Sequence, residues 1–323
     1  MGFANYALKR VLLLIPVLLG VSIGVFLLIK LTPGDPVSAI LPVQARTPEN
    51  IARVEERLAL NEPLYVQYWQ WLSHALQGDF GRSYTLGQPV ATTILSRLWP
   101  TAQLSLVALL VALFIAIPAG VASAVFKDTW IDHLSRVVAF FGISVPAFWL
   151  GIMVILVFSL FWQQWLGDGL IPAGGYVAPS EDFSGWLQSV IAPGIVLGIG
   201  YSALTTRLTR SAMVEVLNED YIRTARSKGV KESIVVVVHG FRNALIPVVT
   251  ILGLHIGFLF NGSIVVEQVF QWPGIGRLLY QAVLNKDMPL IQGILMFVAS
   301  VFVFANLAVD LLYAYLDPRI RYD

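Results

Sequence analysis

Residues 218–229 of the chain read Asn218-Glu219-Asp220-Tyr221-Ile222-Arg223-Thr224-Ala225-Arg226-Ser227-Lys228-Gly229. They lie inside a polar island, residues 207–243, which carries seven basic residues between two strongly apolar stretches. An apolar chain rarely contains so much polar, structure-forming sequence unless that segment contacts something. The island therefore predicts a contact surface for a partner.

The charge order of residues 219–228 predicts a short helix. Glu219 and Asp220 would place negative charge in the first turn, where the helix dipole favours it, and the basic residues follow in the second half. Asn218 is a suitable N-cap, and Gly229 stands where a left-handed C-cap is needed. A helix of this length, about 15 Å, is marginal alone in water.

This predicted helix therefore needs a surface to pack against. We expect the contact to involve Tyr221, Ile222 and Ala225, and the small side chains of Thr224 and Ala225 allow close approach by another chain. A groove on a protein is the favoured surface. The alternative is a basic helix that lies on anionic lipid headgroups.

The composition of the chain is that of a membrane protein. Hydrophobic residues make up 57% of its 323 residues and charged residues 13%, whereas soluble domains usually carry about 25% charged residues. The net charge of +1 gives no indication of nucleic-acid binding. The sequence contains no cysteine, which excludes disulfides, thiolate metal sites and cysteine nucleophiles.

Six apolar stretches approach the roughly 20 residues that a helix needs to cross a bilayer. They are too long for the strands of a membrane barrel, so the sequence predicts an all-α membrane bundle. The fourth stretch is the weakest because proline and glycines interrupt it: Pro193, Gly194, Gly198 and Gly200. The six stretches are approximately 10–31, 101–125, 137–162, 189–206, 244–266 and 290–316.

The distribution of basic residues predicts the orientation of the bundle. Thirteen of them lie in the N-terminal tail, the loop near 126–136, the island and the C-terminal tail, whereas the short loops 163–188 and 267–289 hold two. Loops rich in Lys and Arg stay in the cytoplasm. Both termini and the island are therefore predicted to be cytoplasmic, with residues 32–100 external. The first apolar stretch is longer than the core of a secretory signal, so we expect it to remain as a span.

The external segment, residues 32–100, contains two predicted helices. Thr47 followed by Pro48 is an N-cap with proline at the first helical position, and Pro63 opens a second helix that Gly78 can end. The second helix carries aromatic residues that suit a membrane–water interface: Tyr65, Tyr68, Trp69 and Trp71. The segment is either a small cap on the outer face of the bundle or a docking platform for an external partner.

The external loop 267–289 combines Phe270 with turn residues at 273–276, which read Pro-Gly-Ile-Gly. Leu278, Leu279 and Val283 then share one helical face, which predicts a short helix folded back over the mouth of the bundle. An ordinary amphipathic connector is the alternative.

These motifs resemble those of a known family, the permeases of ABC importers. Their cytoplasmic signature, the EAA motif, reads Glu-Ala-Ala-x-x-x-Gly and precedes a segment that ends in proline. Ala225 and Gly229 match it, with Arg223 in place of Glu and Thr224 in place of the first Ala. The closing proline, best matched by Pro247, also comes later than in the simplest form of the motif. These replacements and the late proline both resemble the oligopeptide/dipeptide branch of the family, whose motifs correspond here to Tyr221–Gly229 and Arg242–Pro247.

Further motifs of that branch occur in the expected order, so the resemblance covers essentially the whole chain. The predicted spans and loops divide the chain into an N-terminal tail and first span (1–31), the external segment (32–100), a transmembrane core (101–316) and a cytoplasmic tail (317–323). The additional motifs are Thr32–Pro36, Gly78–Ser83, Phe270–Gly276 and Asp317–Arg319.

The resemblance implies a type I importer fold in a prokaryotic inner membrane, with this chain as a non-catalytic permease subunit. A second, homologous permease would complete the pore, two cytoplasmic ATPase subunits or domains would drive it, and an external substrate-binding protein would deliver cargo. ATP and Mg²⁺ would be bound by the ATPases, and no cofactor or metal by this chain. The expected cargo is di- or oligopeptides, with nickel, glutathione and oligosaccharides as alternatives.

By the same resemblance, the island contains the coupling helix that lies in a groove of an ATPase. The sequence has no Gly-x-x-x-x-Gly-Lys-Ser/Thr phosphate-binding loop and no His-Glu-x-x-His spacing, so we do not expect this chain alone to hydrolyse ATP. The residues expected to carry the coupling are Glu219, Asp220, Tyr221, Arg223, Thr224, Ala225, Arg226, Lys228 and Gly229.

Polar residues inside the apolar stretches are candidates for lining a pore. They are His255 and Asn261 in the fifth stretch and Asp310 in the sixth. The alternatives are hydrogen bonds between helices and, for Asp310, pairing with a cytoplasmic basic residue. Candidates for an external gate are the loop residues Phe270, Pro273, Gly274 and Gly276.

Two other function classes fit a chain with six spans. A stand-alone secondary transporter or channel would need buried carboxylates or a repeated half. An intramembrane enzyme would need a Ser/His pair or two aspartates at mid-membrane. The sequence contains no convincing set of either kind, so the importer permease is the favoured interpretation.

Overall fold

The computed structural model describes residues 3–31, 41, 43–57, 60–167, 171–245, 248 and 264–316. It divides into two compact units: Met1–Trp99 with Gly274–Asp323, and Pro100–Pro273. Within the described residues the secondary structure is helical, apart from one isolated bridge between Arg82 and Pro89. The predicted all-α class is confirmed.

Five helices of the described residues are long and apolar enough to cross a membrane. They correspond to five of the six predicted stretches. The remaining stretch, 244–266, lies almost entirely outside the described residues. The five helical segments are Asn5–Leu28, Val90–Val125, Ala147–Trp165, Phe183–Leu217 and Met288–Leu311.

In the first unit, α1 (Phe3–Leu31) packs along α13 (Met288–Leu316). An ion pair of 2.7 Å between Arg10 Nη1 and Asp310 Oδ2 joins the ends of these helices that are predicted to be cytoplasmic. Of the alternatives for Asp310, pairing with a basic residue is therefore observed.

Both predicted external helices are confirmed in the first unit. α2 (Pro48–Arg57) follows Thr47, whose Oγ1 accepts a backbone N–H at 3.3 Å and so caps the first turn. α3 (Leu64–Leu76) follows Pro63 and ends two residues before Gly78. The proline and cap signals in the sequence thus locate both helix starts.

A buried carboxylate anchors the external segment to the start of α13. Asp287 is fully buried and accepts hydrogen bonds from Ser83 Oγ at 2.5 Å and from Thr85 N and Oγ1 at 3.0 and 2.7 Å. Its Oδ1 also accepts from Leu290 N in the first turn of α13 at 3.3 Å. Burial acts to raise the pKa of Asp287, but the hydrogen bonds outweigh it and hold the pKa below its ordinary value.

The third predicted stretch, 137–162, is not one helix. Val145 precedes Pro146 and has extended backbone (ψ 123°), because the proline ring disfavours the helical conformation at the residue before it. The span is therefore Ala147–Trp165. The elements around the break are α5 (Trp130–Ser144), α6 (Ala147–Ile155), a π-helical segment (Leu156–Phe161) and α7 (Trp162–Leu166).

The second unit has its main hydrophobic core around α8 (Phe183–Leu217) and the part of α4 (Val90–Val125) that begins at Pro100. α8 is the least apolar of the five candidate spans and also the most buried. Its predicted weakness as a span is therefore confirmed. Core residues include Leu104, Ala108, Val190, Val196, Phe270 and Trp272.

Two glycines allow α4 and α8 to approach closely. A Cβ on Gly194 would lie 2.6 Å from Val107 Cγ1, and a Cβ on Gly198 would lie 2.6 Å from Val111 Cγ1 and 2.9 Å from a backbone oxygen of α4. The two glycines are four residues apart, which is the small-xxx-small spacing of closely packed membrane helices. The residues that interrupt the apolar pattern are thus part of the helix-packing surface.

Candidate functional site

The polar island predicted at 207–243 is largely helical. α8 continues through Arg207 and Arg210 to Leu217, so the first third of the island belongs to a spanning helix. The island is thus not a loop throughout. The apolar face of α8 stays buried through Ala212 and Met213, and the helix continues with it. The elements that follow are α9 (Asp220–Ser227), α10 (Glu232–Ile234) and a π-helical segment (Val235–Phe241).

α9 lies where the short helix was predicted, but its N-terminal cap differs. Asn218 is not the N-cap: its side chain donates to Val214 O at 2.8 Å, and Asn218 forms the C-cap of α8. The connection between the helices is so short that Asn218 still belongs to the preceding one. Glu219 takes the N-cap position, with extended backbone, and its side chain accepts no hydrogen bond from the first turn of the helix.

The C-terminal end of α9 is capped as predicted. Gly229 has φ +76°, and its N–H donates to Arg226 O at 3.0 Å. Val230 N donates to Ala225 O at 3.3 Å, which completes a Schellman motif. No atom lies within 4 Å of the position that a Cβ on Gly229 would take, so the need for glycine is purely conformational.

A second helix ends in the same motif without glycine. α12 (Ile275–Leu284) is followed by Lys286 (φ +53°) in the equivalent position. We expect Gly229→Ala to destabilise the chain by about 1 kcal/mol and Lys286→Gly to stabilise it by a similar amount, because only glycine adopts positive φ at little cost. Thermal unfolding of both variants in one detergent measures the two effects, and shifts of the same sign would contradict the prediction.

One face of α9 packs against the same chain. Ile222 is fully buried, Ala225 is partly buried, and the helix contacts the π-helical segment. The Tyr221 ring is partly exposed, but its hydroxyl donates to His239 O at 3.3 Å and accepts from Asn243 Nδ2 at 2.8 Å. The packing surface that we expected a partner to supply is thus provided in large part by this chain.

The rest of the surface of α9 is charged and exposed. Arg226 donates from Nε and Nη2 to the two carboxylate oxygens of Glu232, at 3.1 and 2.7 Å, which ties α9 to α10. These hydrogen bonds lower the pKa of Glu232. Arg223 pairs with Asp220 at 3.3 Å, and both side chains remain largely exposed. The exposed set is Glu219, Asp220, Arg223, Thr224, Arg226, Ser227 and Lys228.

A buried ion pair beside the island was missed by the sequence analysis. Asp132, in the first turn of α5, is fully buried and accepts from Arg210 Nε and Nη2, both at 2.8 Å. Ser123 Oγ and Asp128 N donate to it at 2.6 and 3.0 Å. The Arg210 hydrogen bond is the largest cause of the lowered pKa of Asp132, against the opposing effect of burial. The available signal was Asp132 itself, an acid three residues after Thr129, because threonine favours the N-cap and an acid favours the first turn of a helix.

A small hydrophobic cluster joins the same region. It unites the end of α4, the last turns of α8 and the π-helical segment that contacts α9. α9 is therefore supported by elements that pack on one another and presents its charged face outward. The buried members of the cluster are Ala124, Ala212, Met213, Val236 and Ala244.

The candidate gate residues are divided between the two units. In the second unit, Phe270 is buried in the hydrophobic core, where its carbonyl oxygen accepts from Gly175 N at 2.9 Å, and Pro273 is partly buried. In the first unit, Gly274 and Gly276 are buried at the start of α12. Their role as a gate stays a prediction.

The short helix predicted in the external loop exists as α12, but its buried face is shifted. Ile275, Leu278 and Ala282 are buried, whereas Val283 is more than half exposed. The loop also begins later than predicted, because α11 (Ile264–Val269) extends to Val269. Ala282 thus takes the place on the buried face that the leucine pattern gave to Val283, one position later.

Several predicted positions lie outside the described residues. These include two of the three pore candidates, so their role in lining a pore stays a prediction. They are His255, Asn261, Thr32–Pro36, Pro247 and Asp317–Arg319.

The chain belongs to the family described as binding-protein-dependent transport system inner membrane components. Residues 116–322 match this family, and residues 3–107 match the N-terminal region of the membrane component of binding-protein-dependent transport systems. The chain is thus a multi-pass inner-membrane permease, as the motifs indicated.

Particular relatives match along nearly the full length. The glutathione transport system permease protein GsiC of Salmonella paratyphi A is 45% identical over 318 residues, covering 98% of this chain and 99% of the relative. A putative peptide transport system permease protein of Brucella abortus is 44% identical over 316 residues, covering 98% of each. A solved structure, "Crystal structure of an amino acid ABC transporter with histidines", has a TM-score of 0.47 at 18% identity and covers 71% of this chain and 94% of that chain.

Proposed function

We propose that this permease forms half of the translocation pore of an ATP-driven importer and receives motion from an ATPase through α9. The observation that carries the proposal is the pairing of a buried and an exposed face on α9. Ile222 and the Tyr221 hydroxyl fix the helix to its own chain, while Asp220, Arg223 and Lys228 remain open to a partner. A force on the exposed face would therefore move α9 together with its support.

The cargo that we propose is short peptides, with glutathione included because it is itself a tripeptide. The support is that the relatives' names refer to glutathione and peptide transport. Nickel and oligosaccharides, the other cargoes considered from the sequence, have no such support.

The partners follow from the same proposal. A second, homologous permease would complete the pore, an external substrate-binding protein would deliver the cargo, and two ATPase subunits or domains would bind ATP and Mg²⁺. This chain would bind no cofactor. Conformational change would then be driven by ATP binding to a partner and passed to this chain by contact.

The composition of the complex provides the test. The full chain would be tagged, extracted gently from its native membrane, and its bound proteins identified by mass spectrometry. We expect a second multi-span permease and Walker-motif ATPases. Recovery of the chain alone, or with copies of itself, in several detergents would contradict the proposal. Uptake of labelled glutathione and tripeptides by the reconstituted complex would then test the cargo.

A charge reversal on α9 tests the ATPase contact directly. Arg223→Glu should reduce recovery of the ATPases several-fold, because it reverses an exposed charge beside Asp220 at the centre of the proposed contact. Arg53→Glu is the matched control: Arg53 is equally exposed and also pairs with an acid on its own helix, Glu49, but lies in the external segment. Equal recovery with both variants would mean that Arg223 faces water or lipid.

A further inference from the structure

α3 (Leu64–Leu76) has three faces of different chemistry. The first contains Gln67 and Leu72, which are buried. The second is apolar but exposed, and its residues recur at helical spacing: Tyr65, Trp69 and Leu76. The third is polar and exposed and contains Gln70 and His74. At about 100° per residue, His74 lies about 140° around the helix from Trp69.

Contacts with α1 fix the level at which α3 lies. Tyr68 OH shares a 2.8 Å hydrogen bond with Ser22 Oγ, and its ring lies 5.5 Å from the Phe26 ring. The Trp69 ring lies 5.6 Å from the Tyr68 ring. Ser22 is six residues before Leu28, the end of the candidate span in α1, which corresponds to about 9 Å along the helix. The exposed apolar face of α3 is therefore at the same depth as the last turns of the candidate span in α1.

Lys30 marks the polar boundary just beyond these turns. Its ammonium donates to Gln67 Oε1 and lies 5.6 Å from the centre of the Phe26 ring. A lysine just beyond an apolar span, with its charged group held by a polar partner and by an aromatic ring, is typical of the edge of a hydrocarbon layer. Gln67 also donates to Glu62 O at 2.7 Å, so polar groups gather on this side of α3.

We propose that α3 is an interfacial helix that lies in the outer leaflet, with Tyr65, Trp69 and Leu76 inserted at the boundary between headgroups and acyl chains. Interfacial helices bury their apolar face about 5–10 Å into this boundary, which agrees with the level of Ser22 and Phe26. At the same level, α1 exposes Ile23, Leu27 and Leu28. The apolar face of α3 thus continues the lipid-facing surface of α1.

The depth distinguishes lipid from a docking protein as the occupant of this face. A soluble binding protein contacts surfaces above the headgroups, whereas the Trp69 ring is level with residues inside the apolar span of α1. The polar side with Gln70 and His74 is left to face water. Insertion of α3 would hold the external segment at the membrane whatever the cargo and the ATP coupling.

The absence of cysteine from the chain makes a direct test possible. Single cysteines would replace Trp69 and Leu76 on the apolar face and Gln70 and His74 on the polar face, each carrying a nitroxide spin label. The full chain would be reconstituted in vesicles of phosphatidylethanolamine and phosphatidylglycerol. Collision rates with oxygen, which concentrates in lipid, and with a water-soluble nickel chelate would be measured for each label.

We expect the ratio of oxygen to nickel collisions to be several-fold higher for W69C and L76C than for Q70C and H74C. Leu76 is a second reporter if replacement of Trp69 disturbs the fold, because Leu76 lies near the end of α3 and is four-fifths exposed. Equal, water-like ratios at all four sites would overturn the proposal. Labels on the apolar face that are water-accessible and become protected only when the external binding protein is added would also overturn it, in favour of a docking platform.

Discussion

Gly198→Leu should prevent the second unit from folding to its native packing. The new side chain would begin 2.6 Å from Val111 Cγ1 and 2.9 Å from a backbone oxygen of α4, so the helices must separate. Overpacking a tight core commonly costs about 1–3 kcal/mol. Because the backbone of α4 must also move, we expect the cost of Gly198→Leu to be at or above the upper end of this range. We expect loss of the monodisperse protein in detergent, measured by size-exclusion chromatography and thermal unfolding.

Gly200→Leu is the control on the same helix. Gly200 is exposed, and no atom lies within 4 Å of the position of a Cβ there. This variant should unfold at or slightly above the native temperature, because leucine favours helix more than glycine does. If Gly198→Leu behaves like Gly200→Leu, α4 and α8 are not in close contact at this point.

Arg210→Met should be the most damaging change of a charged residue in the second unit. It leaves the Asp132 carboxylate fully buried without the two hydrogen bonds of 2.8 Å that compensate its charge. Removing one partner of a buried ion pair costs about 3–5 kcal/mol. Thermal or denaturant unfolding in a single detergent measures the loss. The double variant Asp132→Asn/Arg210→Met should recover part of it, because the asparagine keeps an acceptor and removes the buried charge.

Arg136→Met is the matched control for this pair. Arg136 also approaches Asp132, but at 3.4 Å and with nearly half of its side chain exposed, so its loss should cost less than about 1 kcal/mol.

The pH dependence of stability gives a second check on the Asp132–Arg210 pair. Because the pKa of Asp132 is depressed in the folded chain, the stabilisation is present above the ordinary pKa of about 4 and lost as pH falls below it. The difference in unfolding free energy between the native chain and Arg210→Met should therefore become smaller at acidic pH.

Local signals in the sequence predict the ends of several helices well. Pro48 and Pro63 locate the starts of two external helices, and Gly229 locates the end of α9. These signals act within one turn and do not depend on distant residues. The family motifs likewise identify the permease class, because they are short and collinear along the chain.

Features that depend on contacts between helices could not be read in the same way. Asn218 is as good a residue for an N-cap as for its observed place at the end of α8, and only the length of the connection distinguishes the two. The Asp132–Arg210 ion pair joins residues 78 positions apart. Counting the basic residues in each loop does not reveal which of them pairs with a distant acid. Similarly, hydropathy treats Gly194 and Gly198 as weak points, although they permit close packing of α8 on α4.

The length of α8 has a mechanical consequence. Its 35 residues extend about 52 Å, well beyond the roughly 30 Å of hydrocarbon. It contacts α4 at three levels, where Gly194 faces Val107, Gly198 faces Val111 and Thr209 faces Gly120, and these levels are spread over about 22 Å of α8. Because the two helices are held side by side over this length, we expect a displacement of the inner end of α8 to carry α4 with it, so that the two helices move as one stiff pair.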